Sequence, residues 1–200
     1  MSNSIEKAII LAAEVALAQM VISNRVNGAK VLSEIALYDA INTTLKARTS
    51  CWINNEHRVS LNGRTSTSKA RKGDAPRVDF GIGKGKKGSP KSVVTLLEIK
   101  LASRTKLESS INVARDIEKL YFAQPFESKE KLHETAYLIV FNIENDASPS
   151  ETIGEIRWNE PPAAEIVDCI ETLSYGVRGE ERLVYTASVF RIRRERRSVI

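Results

Sequence analysis

The strongest structural signal in this chain is the stretch Thr135–Ile143, with the sequence TAYLIVFNI. It is almost continuously apolar, it is short for a helix, and it is rich in residues that favour β-strands. A strand that is apolar on both sides has to be covered on both faces of its sheet, as happens in α/β proteins. The sequence therefore predicts a central, buried strand in a sheet that is flanked by helices.

The rest of the chain supplies the helices and strands for such a fold. Helices are predicted where apolar residues recur at helical spacing, over 5–22, 31–48, 107–122 and, after two prolines, 163–175. Strands are predicted from β-branched content and Gly/Pro boundaries, over 51–61, 76–83, 92–101 and 183–193. Because only a basic glycine loop separates 76–83 from 92–101, these two strands are predicted to form a hairpin. The expected fold class is α/β with a mixed central sheet, an N-terminal helix within 1–30 and a C-terminal helix–strand extension over 144–200.

Size and cysteine content narrow the class of protein. A chain of 200 residues is expected to form one domain with a single sizeable core. Cys51 and Cys169 are far apart and belong to no CxxC or Cys/His cluster, which argues against a zinc site or a disulfide scaffold. The apolar stretch 5–22 is interrupted by charged residues, so it is too polar to span a membrane, and the chain does not open like a signal peptide. We expect a cytoplasmic protein without a membrane partner.

The positive charge of the chain is concentrated in one segment. The formal net charge is +5, but residues 64–106 contain twelve basic residues against three acidic ones, which gives this segment +9. The remainder has eighteen basic and twenty-two acidic residues, which gives −4. Such asymmetry favours a polyanionic partner such as nucleic acid, although a solvated basic surface would show the same pattern.

One glycine motif in this segment is misleading. Gly83–Gly88, with the sequence GKGKKG, formally matches GxGxxG. That motif binds dinucleotides only where the loop opens a helix, and here the chain continues into a Val/Leu-rich strand. We interpret the loop as the tip of the hairpin, with lysines able to contact phosphates.

Two acids and a lysine on this hairpin form the sharpest candidate site. Strand side chains alternate, so Glu98 and Lys100 share a face while Ile99 points into the core. Asp79 on the preceding strand falls within pairing distance of Glu98. Close carboxylates repel unless a cation lies between them, and Mg²⁺ favours such oxygens, to which the carbonyl of Ile99 would add another. The pattern suits metal-dependent phosphodiester hydrolysis, but an exposed cross-strand salt-bridge ladder would also produce it.

The spacing and the order of elements resemble the PD-(D/E)XK nuclease superfamily, which has the restriction-endonuclease-like fold. Asp79 in RVDF is followed, after eighteen residues, by Glu98-Ile99-Lys100 in LLEIK, and residues 31–143 are similar to the αβββαβ core of that family. The resemblance implies that Asp79 and Glu98 bind Mg²⁺, or Mn²⁺ in its place, and that Lys100 is the catalytic lysine. It also places Glu34, on the helix before the sheet, as an auxiliary acid. The chain departs from the pattern by having Val78 where proline is usual, and it lacks a clear Gln-x-x-x-Tyr signature.

The hypothesis at this stage is a Mg²⁺-dependent DNA endonuclease, with RNA left open as a substrate. Glu56 on the first strand ranks below Glu34 as an additional acid. Helix 107–122 corresponds to one that lies near the DNA backbone in the family, and most of its charged residues are expected to form its solvated face: Arg115, Asp116, Glu118 and Lys119. The rivals are a non-catalytic nucleic-acid-binding or assembly protein and an interaction subunit that dimerises through helix 5–22 or the last strand. Phosphate contacts are expected from the basic loops, at Arg64, Lys69, Arg71, Lys72, Lys84, Lys86, Lys87 and Lys91.

Overall fold

A computed structural model of the chain contains three helices and seven strands in its described part. The structure describes residues 2–27, 34–61, 76–84, 94–102, 106–125, 135–143, 166–177 and 183–193. The helices are α1 (Ser2–Asn27), α2 (Glu34–Arg48) and α3 (Lys106–Phe122). The strands are β1 (Trp52–Ser60), β2 (Arg77–Gly83), β3 (Val94–Leu101), β4 (Gln124–Pro125), β5 (Thr135–Ile143), β6 (Val167–Val177) and β7 (Leu183–Ile192). The polar, basic stretch 62–75, which contains Arg64, Lys69, Arg71 and Lys72 and is expected to be a loop, lies outside the described residues.

The strands form one mixed sheet in the order β4-β1-β2-β3-β5-β7-β6. β2 and β3 pair antiparallel, as the predicted hairpin requires, while β3 and β5 run parallel with α3 between them in the chain. β5 lies between β3 and β7, and Ala136 to Phe141 are buried without a break. The apolar run therefore forms the central strand that the sequence predicts.

Helices cover both faces of this sheet. On one face, α1 and α2 pack on a core that includes Phe80, Ile99 and Tyr137. On the other face, α3 packs through Val113, Ile117 and Leu120 on residues such as Leu96 and Leu138. Successive residues of β3 enter opposite cores, since Leu96 belongs to the α3 side and Leu97 to the other. Burial of large apolar side chains on both faces holds the central strands in a defined register.

The predicted helix over 163–175 is wrong. In the described part of the segment, the chain from Val167 onward forms β6, which pairs antiparallel with β7 as far as Val177. A β-bulge between Cys169 and Glu171 inserts one extra residue, so that Ile170 and Leu173 both pack against the same core although they are three apart. That spacing imitates the apolar period of a helix, and the pairing with β7 decides the outcome.

The sheet order also bears on the predicted dimer contact through the last strand. β7 has β5 on one side and β6 on the other, so both of its edges are already paired. The backbone of β7 is therefore not available to pair with a second copy, and the dimer contact itself stays a prediction.

No helix in the described part of the chain combines the length and the apolar character needed to cross a membrane.

Candidate functional site

The candidate site lies where β2 and β3 separate. Their pairing runs from Gly83 opposite Val94 to Phe80 opposite Leu97. Extending this register by one pair sets Asp79 opposite Glu98. At this position, hydrogen bonds from the peptide N–H groups to carboxylates replace the backbone-to-backbone bonds of the strand pairing. The peptide N–H of Ile99 donates to Asp79 Oδ2 at 2.7 Å, and the peptide N–H of Asp79 donates to Glu98 Oε2 at 3.2 Å. Each carboxylate thus binds the backbone of the opposite strand, which confirms the predicted proximity of the two acids.

Helix α2 holds the other oxygen of Asp79. The Tyr38 hydroxyl donates to Asp79 Oδ1 at 2.6 Å. Its ring meets Phe80 edge-on, with centroids 5.7 Å apart and planes at 68°, so apolar packing orients the hydroxyl. Asp79 is therefore fixed from both α2 and β3.

Helix α3 completes the site with a second group of charges. Lys119 Nζ donates to Glu98 Oε1 and lies 3.4 Å from Asp116 Oδ1. Lys100 Nζ lies 3.5 Å from Asp116 Oδ2. Both Glu98 and Lys100 consequently face α3, as alternation along β3 predicts. Three carboxylates and two ammonium groups form one connected network, which we call the acidic cluster: Asp79, Glu98, Lys100, Asp116 and Lys119.

Burial shifts the pKa values of groups in the acidic cluster. Asp79 is 9% exposed and Glu98 is 6% exposed. Loss of water raises the pKa of the Asp79 carboxyl, and the hydrogen bonds from Tyr38 and the Ile99 N–H offset part of that rise. Burial raises the pKa of Glu98 well above its usual value, with Lys119 opposing and Asp79 adding to the rise. For Lys119, burial acts to lower the pKa, but the charges of Glu98 and Asp116 prevail and raise it.

The raised pKa of Glu98 makes stability depend on pH. Because the folded chain holds this proton more tightly than the unfolded chain, the associated stability is present below the ordinary value of 4.5. It is lost as the pH rises through the raised pKa. We therefore expect wild type to lose stability relative to Glu98→Gln across that window, measured by urea denaturation at a series of pH values. Glu14→Gln, at an exposed position of α1, is the control and should track wild type; a Glu98→Gln difference that stays constant with pH would contradict the assignment.

The strand beside Asp79 is distorted. The β1–β2 ladder pairs Asn55 with Phe80 and His57 with Val78, and the position between them sets Glu56 opposite Asp79. Glu56 has a φ of 54°, a left-handed conformation that costs a non-glycine residue about 1–2 kcal/mol. Its exposed side chain lies 3.8 Å from Arg77 Nη1, an arginine outside the acidic cluster.

The structure does not reach all of the residues predicted from the sequence. Glu34 is the first residue of α2, but its side chain is outside the described set. Lys84 is exposed at the end of β2. The Ile99 carbonyl stays a predicted ligand, since the contact shown is through its N–H. The other predicted phosphate contacts lie outside the described residues: Arg64, Lys69, Arg71, Lys72, Lys86, Lys87 and Lys91.

Sequence reasoning missed Tyr38 and gave Asp116 and Lys119 no role in the site. The expectation that the polar residues of α3 are mostly solvated is wrong for Asp116, which is buried, and for Lys119, whose side chain is 21% exposed. A signal was present, because Asp116 falls within the i, i+3, i+4, i+7 stripe that begins at Val113. A carboxylate on the apolar face of a helix needs a partner inside the protein.

The chain matches no protein-family model, no curated protein and no solved structure.

The donor set of the acidic cluster suits a hard divalent cation. Carboxylate oxygens are the ligands that Mg²⁺ prefers, and the ammonium of Lys119 against Glu98 shows that a cation is accommodated there. In the described ranges, no three Asp, Glu, His or Cys side chains are arranged to hold a metal ion. Binding of Mg²⁺ by the carboxylates of Asp79 and Glu98 therefore stays a prediction.

Proposed function

We propose that this protein is a Mg²⁺-dependent DNA endonuclease of the PD-(D/E)XK type. The observation that carries the proposal is the buried pair Asp79 and Glu98, joined through backbone N–H groups where β2 and β3 separate. Two desolvated carboxylates this close together are costly unless a cation compensates them. Lys100, two residues beyond Glu98 on the same face, supplies the third member of the motif.

The arrangement of elements supports the same proposal. Apart from the two-residue strand β4, which lies between α3 and β5, the order α2, β1, β2, β3, α3, β5 follows the αβββαβ order of the family core. The pair of acids lies on the hairpin β2–β3, and the parallel strand β5 follows α3. A restriction-endonuclease-like core is thus the fold that we propose within the mixed α/β sheet.

Each residue then has a defined task. Asp79 and Glu98 would hold Mg²⁺, with the carbonyl of Ile99 as the proposed further donor. When bound, the ion supplies Lewis-acid polarisation of the phosphate and a lower pKa for the attacking water. Lys100 would orient that water or stabilise the charge that develops on the phosphate oxygens. Tyr38 positions Asp79 through the hydrogen bond to Oδ1.

DNA is the proposed substrate because of the charge pattern. Residues 64–106 carry a net +9 and include both carboxylates of the pair and Lys100. Lys84, the described member of the predicted phosphate contacts, is exposed at the end of β2. A basic surface beside the carboxylates would bring the phosphodiester to the cation.

The test is cleavage of plasmid DNA, linear DNA and RNA with Mg²⁺, with Mn²⁺ and with EDTA. We expect cleavage of DNA with either metal and none with EDTA. Lys100→Ala should lower the cleavage rate by about 100-fold, since one group that stabilises transition-state charge is removed. Lys46→Ala, at an exposed position of α2, should leave the rate unchanged. Metal-independent cleavage, or full activity in Lys100→Ala, would refute the assignment.

A second candidate is a non-catalytic nucleic-acid-binding protein that retains this fold. One observation favours it: the four carboxylate oxygens of the pair already accept hydrogen bonds from Tyr38, the Ile99 and Asp79 N–H groups and Lys119. In that case wild type would cut nothing with any metal, and Lys100→Ala would leave DNA affinity unchanged. Binding that weakens steeply as salt rises would show that phosphates are the ligand.

A further inference from the structure

Lys119 supplies the cation that contacts the buried carboxylate of Glu98. Its ammonium donates to Glu98 Oε1 and lies 3.4 Å from Asp116 Oδ1. Glu98 Oε2 is engaged by the peptide N–H of Asp79. Lys119 therefore covers the Glu98 oxygen that the backbone does not use.

The net charge of the acidic cluster indicates what is expected when a divalent metal ion binds. With all five groups ionised, the three carboxylates and two ammonium groups of the acidic cluster sum to one negative charge. Adding a divalent cation while Lys119 stays in place would leave one net positive charge in a site that is largely removed from water. If Lys119 withdraws, the sum is zero, which is the cheaper arrangement in a low-dielectric environment.

Lys119 also has a route out of the site. Its side chain is 21% exposed, against 8% for Glu98 and 13% for Asp116. A long, flexible side chain near the surface can carry its ammonium into water while its stem stays on the protein. Leaving the site thus requires a change of side-chain conformation and no movement of α3.

We propose that the Lys119 ammonium is a built-in competitor for the divalent cation, which holds Glu98 in the metal-free protein and is displaced when the cation binds. The inference rests on the proposed metal site at Asp79 and Glu98. It makes metal binding an exchange of one cation for another, so that Lys119 sets the concentration of metal at which the site fills.

The first experiment follows Lys119 in wild type. An amine-acylating reagent is applied at constant pH with EDTA or with saturating Mn²⁺, and the modified lysines are quantified by mass spectrometry. Acylation of Lys119 should be slow in EDTA and should increase on addition of Mn²⁺, because the ammonium leaves Glu98 for solvent. Lys46, exposed on α2, should react equally in both conditions. Equal protection of Lys119 at proven Mn²⁺ saturation would overturn the proposal.

The second experiment measures Mn²⁺ affinity by calorimetry in Lys119→Gln. We expect its dissociation constant to fall at least about tenfold, equivalent to 1.4 kcal/mol. Lys100→Gln is the matched control, because it removes the same charge from the cluster but leaves the contact to Glu98 in place. A purely long-range charge effect would tighten both variants equally, and that outcome would contradict direct competition.

The outcomes separate this inference from the proposed function. If wild type binds Mn²⁺ and Lys119→Gln binds it no more tightly, competition by Lys119 is refuted while the metal site stands. If neither protein binds Mn²⁺, both proposals fail. If Lys119→Gln folds only when Mn²⁺ is present, the exchange is supported, since the metal then replaces the missing ammonium. The acylation experiment needs no variant and therefore decides the question even if the variants do not fold.

Discussion

Asp79→Asn is expected to abolish metal-dependent cleavage of DNA, with a loss of at least about a thousandfold, or roughly 4 kcal/mol of transition-state stabilisation. The substitution keeps the size of the side chain but removes the negative charge that would hold Mg²⁺. It also turns an acceptor into an amide donor facing either the Tyr38 hydroxyl or the Ile99 N–H, both of which donate. The measurement is the single-turnover cleavage rate at saturating Mg²⁺.

The matched control for this loss is Asp39→Asn. Asp39 is the neighbour of Tyr38 on α2, and its side chain is exposed. The Asp39→Asn protein should cut DNA at the wild-type rate. Circular dichroism of Asp79→Asn has to show a folded protein, so that lost activity reflects the site. A folded Asp79→Asn protein that retains metal-dependent cleavage would show that the assignment of Asp79 is wrong.

Lys119→Met is expected to destabilise the metal-free protein by about 3 kcal/mol, because it leaves the Glu98 carboxylate buried without its counter-charge. The expected loss applies in EDTA near neutral pH and is measured by urea denaturation. Lys46→Met removes a lysine from an exposed position and should change the free energy of unfolding by no more than about 0.5 kcal/mol.

A double-mutant cycle tests whether the lost stability comes from the contact between Lys119 and Glu98. Once Glu98 is replaced by glutamine, no buried charge is left for Lys119 to compensate, so Lys119→Met should cost much less in the Glu98→Gln background. The expected coupling energy is above about 1 kcal/mol, within the range found for contacting residues. Additive effects of the two substitutions would mean that Lys119 and Glu98 do not stabilise each other in solution.

Local patterning was sufficient to predict most of the sheet. The unbroken apolar run that forms β5 is buried on both faces, and alternation along β3 assigns Glu98 and Lys100 to one side and Ile99 to the other. Two strands joined by a short glycine-rich segment pair with each other, which was enough to bring Asp79 close to Glu98. These features depend on neighbours in sequence, and sequence patterns record such neighbours directly.

Predictions from local patterns failed where contact with an element distant in the sequence determined the structure. Ile170 and Leu173 have helical spacing, yet pairing with β7 and a bulge make the segment a strand. Asp116 and Lys119 lie on a helix that was predicted correctly. The apolar stripe of that helix marks Asp116 as buried, but nothing local identifies its partner on β3 or the contact of Lys119 with Glu98.

The sequence alone predicts the α/β class, the hairpin with its two acids, and the concentration of positive charge around them. Packing of the elements adds the Tyr38 hydroxyl on one oxygen of Asp79 and the Lys119 ammonium on Glu98, from helices 41 and 21 residues away in the chain. The reason is physical: a strand's side-chain alternation is a property of its own backbone, whereas the partner of a buried charge depends on which helix covers it. The two carboxylates were therefore predictable, and the cation that balances one of them was not.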